Sequence, residues 1–212
     1  MLSMPINLKF AEFPKIPRLN RDCTITEKID GTNASVVIAL PGVLMPIDDI
    51  IAEHSDGSLM FAGSRTRYIV PNEQRKGSDN HGFAAWVRDH ASLLWTLGPG
   101  NHYGEWWGSG IQRGYGLPKG EKRFSLFNTH RWGDDDNGFS LRPACCSIVP
   151  TLYQGPFSTI SVDTQIESLR LNGSWAARGF MQPEGIVIYH TALGGYFKAT
   201  LEKDEQPKGL NR

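Results

Sequence analysis

The chain has 212 residues, 40% of them hydrophobic, which is enough for one large domain or two small ones. Lysine plus arginine and aspartate plus glutamate both number 22, so the formal net charge is zero and any surface for nucleic acid must be a local patch. The three cysteines, two of them adjacent, do not form a disulfide framework and predict reduced, intracellular thiols. The amino terminus lacks the pattern of a signal peptide, and no apolar stretch approaches the roughly 18 residues of a membrane span.

The first half of the chain predicts strands followed by a helix. Alternating residues predict strands at 23–28 and 33–39, joined by Asp30-Gly31, a pair typical of hairpin turns. A further strand is predicted at 59–63. Apolar residues at mostly helical spacing predict a helix over 80–97, which Asp79 or Asn80 would cap.

The second half adds strands and one more helix. Short strands are predicted at 101–107, 123–128, 184–190 and 194–200. A helix at about 162–172 would be capped by Ser161 or Asp163 and would end at Gly173. The absence of repeats and linker-like segments favours a single domain over residues 1–212. A strand-rich chain with two helices is typical of an α+β fold with largely antiparallel sheets.

The segment EKIDGTN, residues 27–33, carries the sharpest chemical signal. It places Lys28 at a strand end, beside a tight turn that exposes and holds the side chain. Lysine amines act as nucleophiles when burial or neighbouring cations lower their pKa. The segment alone also fits an ordinary hairpin with a solvated lysine, so it does not decide between the two.

This segment resembles motif I of the covalent nucleotidyltransferases, which comprise DNA ligases, RNA ligases and mRNA capping enzymes. Its Gly-Thr-Asn ending resembles the RNA ligase branch that seals nicked duplex RNA. Later segments resemble further motifs in the family's order: 64–67 (SRTR) after motif I, 103–108 (YGEWWG) motif III, 123–128 (RFSLFN) motif IIIa, 184–189 (EGIVIY) motif IV and 196–200 (YFKAT) motif V. The resemblance covers residues 23–200. It implies an α+β nucleotidyltransferase, an ATP-grasp-like ligase catalytic domain with mainly antiparallel sheets flanked by helices.

The resemblance also implies an activity and its site. An ATP-dependent RNA ligase would join 5′-phosphate and 3′-hydroxyl RNA ends through lysyl–AMP and RNA–adenylate, with Lys28 as the nucleophile. Glu184 is the implied ligand of Mg²⁺, for which Mn²⁺ is the alternative. Glu105 would accept hydrogen bonds from the ribose hydroxyls and Phe124 would stack on the adenine. The full set of implied ATP-binding residues is Glu27, Asp30, Gly31, Asn33, Arg65, Glu105, Phe124 and Lys198.

Two features depart from the family pattern. Motif V usually offers two lysines spaced by one residue, whereas this chain has Lys198 followed by Thr200. Lys203 is an alternative, although five residues along a strand reverse the face. In a second alignment Lys198 corresponds to the second lysine, and the first is absent near Tyr196 and Phe197. The chain ends at Arg212, where DNA ligases and capping enzymes usually carry an OB domain. The expectation is therefore a catalytic domain without an OB domain, in which an accessory protein or domain helps to hold nucleic acid.

Other readings of the chain stay open at this point. A DNA ligase, a capping-type enzyme and a nucleotide-binding assembly protein that has lost turnover all fit parts of the pattern. The expected location is the cytoplasm, including the host cytoplasm for a phage-encoded protein, with no membrane attachment.

Overall fold

The computed structural model describes residues 10–135 and 138–202, whose strands form two sheets. The strands are β1 (Asp22–Lys28), β2 (Thr32–Ala39), β3 (Ala52–Glu53), β4 (Leu59–Ser64), β5 (Tyr68–Ile69), β6 (Gly100–Gly108), β7 (Lys122–Leu126), β8 (Cys146–Ile148), β9 (Thr151–Pro156), β10 (Gly185–His190) and β11 (Gly195–Thr200). The helices are α1 (Phe83–Asp89), α2 (Ala91–Leu94), α3 (Thr129–Trp132) and α4 (Thr159–Asn172).

Sheet A has the strand order β11-β10-β1-β9, and sheet B has the order β3-β4-β2-β6-β7-β8 with β5 paired to β4. Among the described strands every pairing is antiparallel except that of β7 with β8. The α+β class with mainly antiparallel sheets is therefore confirmed. Strands β8 and β9 were not predicted, because Pro150 and Pro156 interrupt the alternation there.

The predicted hairpin at Asp30-Gly31 is wrong. Strand β1 pairs with β9 and β10 in sheet A, whereas β2 pairs with β4 and β6 in sheet B. The short segment from Ile29 to Gly31 carries the chain from one sheet to the other. The segment bends at Gly31 without forming a hairpin, because local turn chemistry does not specify which strands pair.

The predicted helices form with different limits. The segment over 80–97 is divided at His90, whose backbone leaves helical geometry (φ −111°, ψ 11°) between α1 and α2. The side chain of Asp79 accepts a hydrogen bond from the Ala85 amide at 2.9 Å, so this residue holds the start of α1. Helix α4 begins earlier than predicted because Ser158 is its cap, and Ser161 completes the capping box. Gly173 ends it as expected.

The helices cover one face of each sheet. Phe83 and Val87 of α1 pack with Val36 and other residues on one face of sheet B, and Leu169 of α4 packs with Ile25 and neighbours on one face of sheet A. The opposite faces are called the site faces here. Among the described residues, no helix is long and apolar enough to cross a membrane.

Candidate active site

Lys28 ends β1 on the site face of sheet A and contacts Glu184. The Lys28 Nζ lies 2.5 Å from Glu184 Oε2, and the two side chains are 24% and 20% exposed. The β1–β10 register explains the contact, since Lys28 pairs with Gly185, the residue after Glu184. The motif I lysine and the motif IV acid, 156 residues apart in sequence, thus share one site.

Gly31 brings sheet B against this pair. Its amide donates a hydrogen bond of 3.1 Å to Glu105 Oε1. A Cβ at this position would lie 2.5 Å from the Trp106 carbonyl oxygen and 2.8 Å from Trp107 Cβ, so only glycine fits so close an approach. Asn33 pairs with Glu105 across β2 and β6, which places both side chains on the site face of sheet B.

Burial raises the pKa of Glu105 to about 7, and the nearby carboxylates of Glu184 and Asp30 act in the same direction. The Lys28 charge and the Gly31 amide oppose this shift. A cluster of three acids around one lysine therefore surrounds the crossover from sheet A to sheet B.

We expect this raised pKa to make folding stability depend on pH. Between pH 4.5 and about 7 folded Glu105 keeps a proton that the unfolded chain has lost, so its contribution to stability is present below that window and is lost as pH rises through it. Glu105→Gln cannot ionise and should show a smaller fall in Tm over that range, in buffer without ATP or metal. The exposed control Glu53→Gln should follow the wild type. Equal slopes for the wild type and Glu105→Gln would contradict the shift.

Asp30 is held by Arg113 and Tyr115, neither of which is among the expected ATP-binding residues. Its carboxylate accepts a hydrogen bond of 3.1 Å from Arg113 Nε, and its amide donates to the buried Tyr115 hydroxyl at 2.8 Å. Arg113 also donates to the Gln182 carbonyl at 3.0 Å, two residues before Glu184. The loop after β6 therefore fixes the motif I turn and the approach to Glu184 together.

Glu27 serves the opposite face of β1. Its carboxylate is 1% exposed and accepts hydrogen bonds from the Ser174 hydroxyl (2.6 Å) and from the Trp175 and Ala176 amides (2.8 and 2.9 Å). Burial raises its pKa, although these three donors oppose the shift. The Glu27 side chain therefore holds the loop after α4 and is not available to ATP. The expectation that backbone groups around Glu27 contact the nucleotide stays a prediction.

Phe124 does not lie on the site face. Its ring is fully buried and packs against Phe83 and Trp86 in the core beneath sheet B, with ring centroids 5.0 and 5.7 Å away. This corrects the expectation that Phe124 stacks on adenine, because no ring face is left for a base. Strand alternation puts Ser125, the partner of Glu105, on the site face instead.

Two exposed aromatic residues do follow the site-face alternation. Phe127 comes two residues after Ser125, and its amide donates to the Tyr103 carbonyl at 3.0 Å. Tyr103 comes two residues before Glu105. Tyr103 is 53% exposed and Phe127 is 36% exposed. Both residues are an even number of positions from Glu105 or from its partner Ser125, and therefore share its face of the sheet. This can be inferred only when the β6–β7 register is known.

The remaining expected residues differ in how close they lie to Lys28. Arg65 is exposed in the turn between β4 and β5, and no described contact links it to the acidic cluster. Lys198 is exposed on β11; its partner Val187 pairs with Thr26, so Lys198 shares the site face of sheet A with Lys28. Thr200 occupies the row of Lys28 and Gly185. Lys203 lies outside the described residues.

The described carboxylates are too few to bind a metal ion alone, but they suit an ion that is also bound by phosphate oxygens of the substrate. Residues 10–135 and 138–202 contain no group of three or more His, Cys, Asp or Glu side chains arranged to hold a metal ion. Mg²⁺ is commonly bound by one or two carboxylates together with phosphate oxygens and water. Glu184, at the edge of the acidic cluster, supplies a carboxylate of that kind.

A protein-family model described as RNA ligase matches residues 21–200. The chain belongs to the RNA ligase family. The match includes every segment that forms the acidic cluster, from β1 to β11. None of the curated protein sequences compared with this RNA ligase family member matches it.

Solved structures of the Naegleria gruberi RNA ligase share the fold of this RNA ligase family member. A variant with ATP and Mn has a TM-score of 0.52 and 18% identity, over 88% of this chain and 52% of that chain. A variant with AMP and Mn has a TM-score of 0.52 and 19% identity, over 88% and 53%. The ligase with PPi has a TM-score of 0.51 and 18% identity, over 89% and 53%. The chain thus spans about half the length of these proteins.

Proposed function

We propose that residues 1–212 form one nucleotidyltransferase domain that uses ATP to join RNA ends through a lysyl–AMP intermediate. The observation that carries the proposal is the meeting of Lys28 with Glu184 and Glu105 at the crossover between the sheets. Because these residues come from both sheets, the site needs them folded as one unit. Membership of the RNA ligase family supports RNA as the substrate.

In the proposed first step the neutral Lys28 amine attacks the α-phosphorus of ATP. A nitrogen–phosphorus bond forms, the bond to the bridging oxygen of the β-phosphate breaks, and pyrophosphate leaves. Catalysis of phosphoryl transfer depends mainly on positioning and on neutralising charge. Lys198, on the same sheet face, lies roughly 12 Å from Lys28 between Cα atoms, given strand spacings of about 4.8 Å and a rise of about 3.3 Å per residue. Its long side chain can reach a phosphate between them.

The next two proposed steps transfer AMP to RNA and seal the junction. A 5′-phosphate oxygen attacks the phosphorus of lysyl–AMP, and the Lys28 nitrogen leaves. The 3′-hydroxyl of the other end then attacks the 5′-phosphate, and AMP leaves. A divalent ion would supply charge neutralisation at the phosphates, with Glu184 as its protein ligand. Crystals of the Naegleria gruberi enzyme with ATP and Mn support Mn²⁺ as an alternative to Mg²⁺.

The other ATP-binding roles follow from position. We propose that Glu105 and Asn33 contact the ribose from the site face of sheet B, next to Gly31. Arg65 would contribute a cation at the edge of that sheet. Thr200 stands in the row of Lys28 where the family pattern has a second lysine, and its hydroxyl donates to the Glu202 carbonyl at 2.8 Å. The positive charge at motif V therefore rests on Lys198.

Phe127, rather than Phe124, is expected to provide the ring for adenine. Phe127→Ala should raise the KM for ATP about tenfold, since loss of base stacking weakens binding by about 1–3 kcal/mol. Phe127→Tyr should stay near the wild type. Phe124→Leu, the matched control in the buried core, should lower Tm while leaving that KM within about twofold, because a buried aromatic residue mainly supports packing. A raised KM for ATP in Phe124→Leu, with an unchanged KM in Phe127→Ala, would show that Phe124 stacks on adenine.

The function is tested by adenylylation and by a panel of acceptors. Incubation with labelled ATP and Mg²⁺, followed by a denaturing gel, should show a covalent, acid-labile adduct. Nicked RNA, nicked DNA and single-stranded RNA, all 5′-phosphorylated, then identify the acceptor. Joining of DNA but not RNA would support a DNA ligase, and strong labelling by GTP with weak labelling by ATP would support a capping-type enzyme. No labelling at all would leave a nucleotide-binding protein without turnover.

A further inference from the structure

The site face of sheet A continues beyond Lys28 as an ordered series of rows. Cross-strand pairing places Lys28, Gly185 and Thr200 in the first row, and Thr26, Val187 and Lys198 in the second. The third row contains Gln154, Thr24, Tyr189 and Tyr196, and is called the tyrosine row here. It lies roughly 13 Å from the Lys28 row, because four residues of strand rise about 3.3 Å each.

The tyrosine row contains one exposed and one partly exposed ring. The rings of Tyr189 and Tyr196 have centroids 5.0 Å apart at an interplanar angle of 46°, so neither ring covers the other completely. Tyr196 is 70% exposed. Helix α4 packs on the other face of the sheet, with Ile188 of β10, whereas Tyr189 lies on the site face. Tyr196 therefore does not contribute to the hydrophobic core, and its role must lie at the surface.

One cation lies on this face between the Lys28 row and the tyrosine row. Lys198, between the Lys28 row and the tyrosine row, is exposed and has no ion pair with a described carboxylate. Asp22, two residues before Thr24 on β1, is an exposed acid in the row next to the tyrosine row, on the side away from Lys198. Exposed rings beside a cation are the features with which proteins bind unpaired nucleic acid, because each base offers a flat face to stack.

We propose that the tyrosine row binds unpaired RNA bases a few nucleotides from the end that reacts at Lys28. This inference rests on the proposed function and deepens it, because it assigns the RNA strand a path across β1, β10 and β11. A ring can stack on a base only where the base face is free, so the surface selects single-stranded RNA near the junction over a continuous duplex.

The test measures RNA binding and adenylylation in the same full-length variants. Tyr196→Ala should weaken binding of a fluorescent, 5′-phosphorylated single-stranded RNA by at least about fivefold, as expected for loss of one stacked base. Tyr196→Phe should restore it. Lysyl–AMP formation from ATP, which requires no RNA, should change by less than about twofold, given that stacking acts only on bound RNA.

Phe197→Ala is the matched control, because Phe197 is a neighbouring aromatic residue on the opposite face of β11 and is 52% exposed. It should bind RNA like the wild type. A blunt RNA duplex should show a smaller difference between the wild type and Tyr196→Ala than the single strand does. A 2-aminopurine base placed near the 5′ end should lose fluorescence on binding to the wild type and less on binding to Tyr196→Ala.

The outcomes separate this inference from the proposed function. If the wild type is adenylylated and joins RNA, but Tyr196→Ala and Phe197→Ala bind single-stranded RNA equally well, the tyrosine row does not bind RNA and the ligase proposal stands. An equal loss for single strand and duplex would also overturn the inference. If the wild type forms no lysyl–AMP, the proposed function itself fails.

Discussion

Lys28→Ala is expected to abolish covalent labelling by ATP while the protein still folds. No other described lysine lies within hydrogen-bonding distance of Glu184, and the Lys28 charge also acts on the nearby Glu105 carboxylate. An arginine at this position keeps the charge but cannot be deprotonated in proteins, so Lys28→Arg should also be inactive. Labelled ATP, Mg²⁺ and a denaturing gel provide the measurement, with Tm as the check on folding.

The control for this experiment is Lys119→Ala, which removes an exposed lysine from the loop before β7. It should be labelled like the wild type. A covalent, acid-labile AMP adduct on Lys28→Ala would show that the nucleophile is another residue.

Glu184→Ala is expected to lose most adenylylation. The substitution removes both the carboxylate partner of Lys28 and the proposed metal ligand, and charge-assisted contacts of this kind are roughly twice as strong as neutral ones. Glu184→Asp should keep part of the rate and need more Mg²⁺, since a shorter carboxylate binds the ion or its waters less well. Single-turnover adenylylation across a Mg²⁺ series measures both effects.

Glu167→Ala, which removes an exposed acid from α4, is the control and should behave like the wild type. Near-normal rates for Glu184→Ala at ordinary Mg²⁺ would mean that Glu184 only supports the start of β10. Glu184→Gln separates charge from shape, because it keeps a hydrogen-bond acceptor without the negative charge.

The strands were the most predictable part of the fold. Burial alternates along the first half of β1, whereas β2 and β4 are buried almost continuously. Alternating patterns and short apolar runs can both be read directly from sequence as strands. What the pattern does not contain is the partner of each strand. The Asp30-Gly31 turn has the chemistry of a hairpin, yet the chain there passes between sheets, because long-range pairing and not the turn decides where β2 goes.

Within the candidate site, the wrong prediction concerned which face of the sheet a side chain of β7 occupies. Phe124 and Ser125 are neighbours, and a shift of one position exchanges the core face for the site face. The motif identified the right strand without its register. Phe127 follows from the pairing of Glu105 with Ser125, information that a single sequence does not supply. The glycine-rich loop after β6 suggested Arg113 only as a contact for nucleic acid and did not indicate Tyr115, because a loop sequence does not reveal its distant partners.

The pleat of β1 makes this short stretch intolerant of changes in length. Glu27 anchors the loop after α4 on one side, and Lys28 meets Glu184 on the other. A one-residue insertion or deletion within Asp22–Lys28 would move the Lys28 side chain to the α4 face of sheet A and the Glu27 side chain to the site face. Among descendants of this gene, length variation should therefore collect in connections such as residues 40–51 and 70–79, while the codons of β1 change only by substitution.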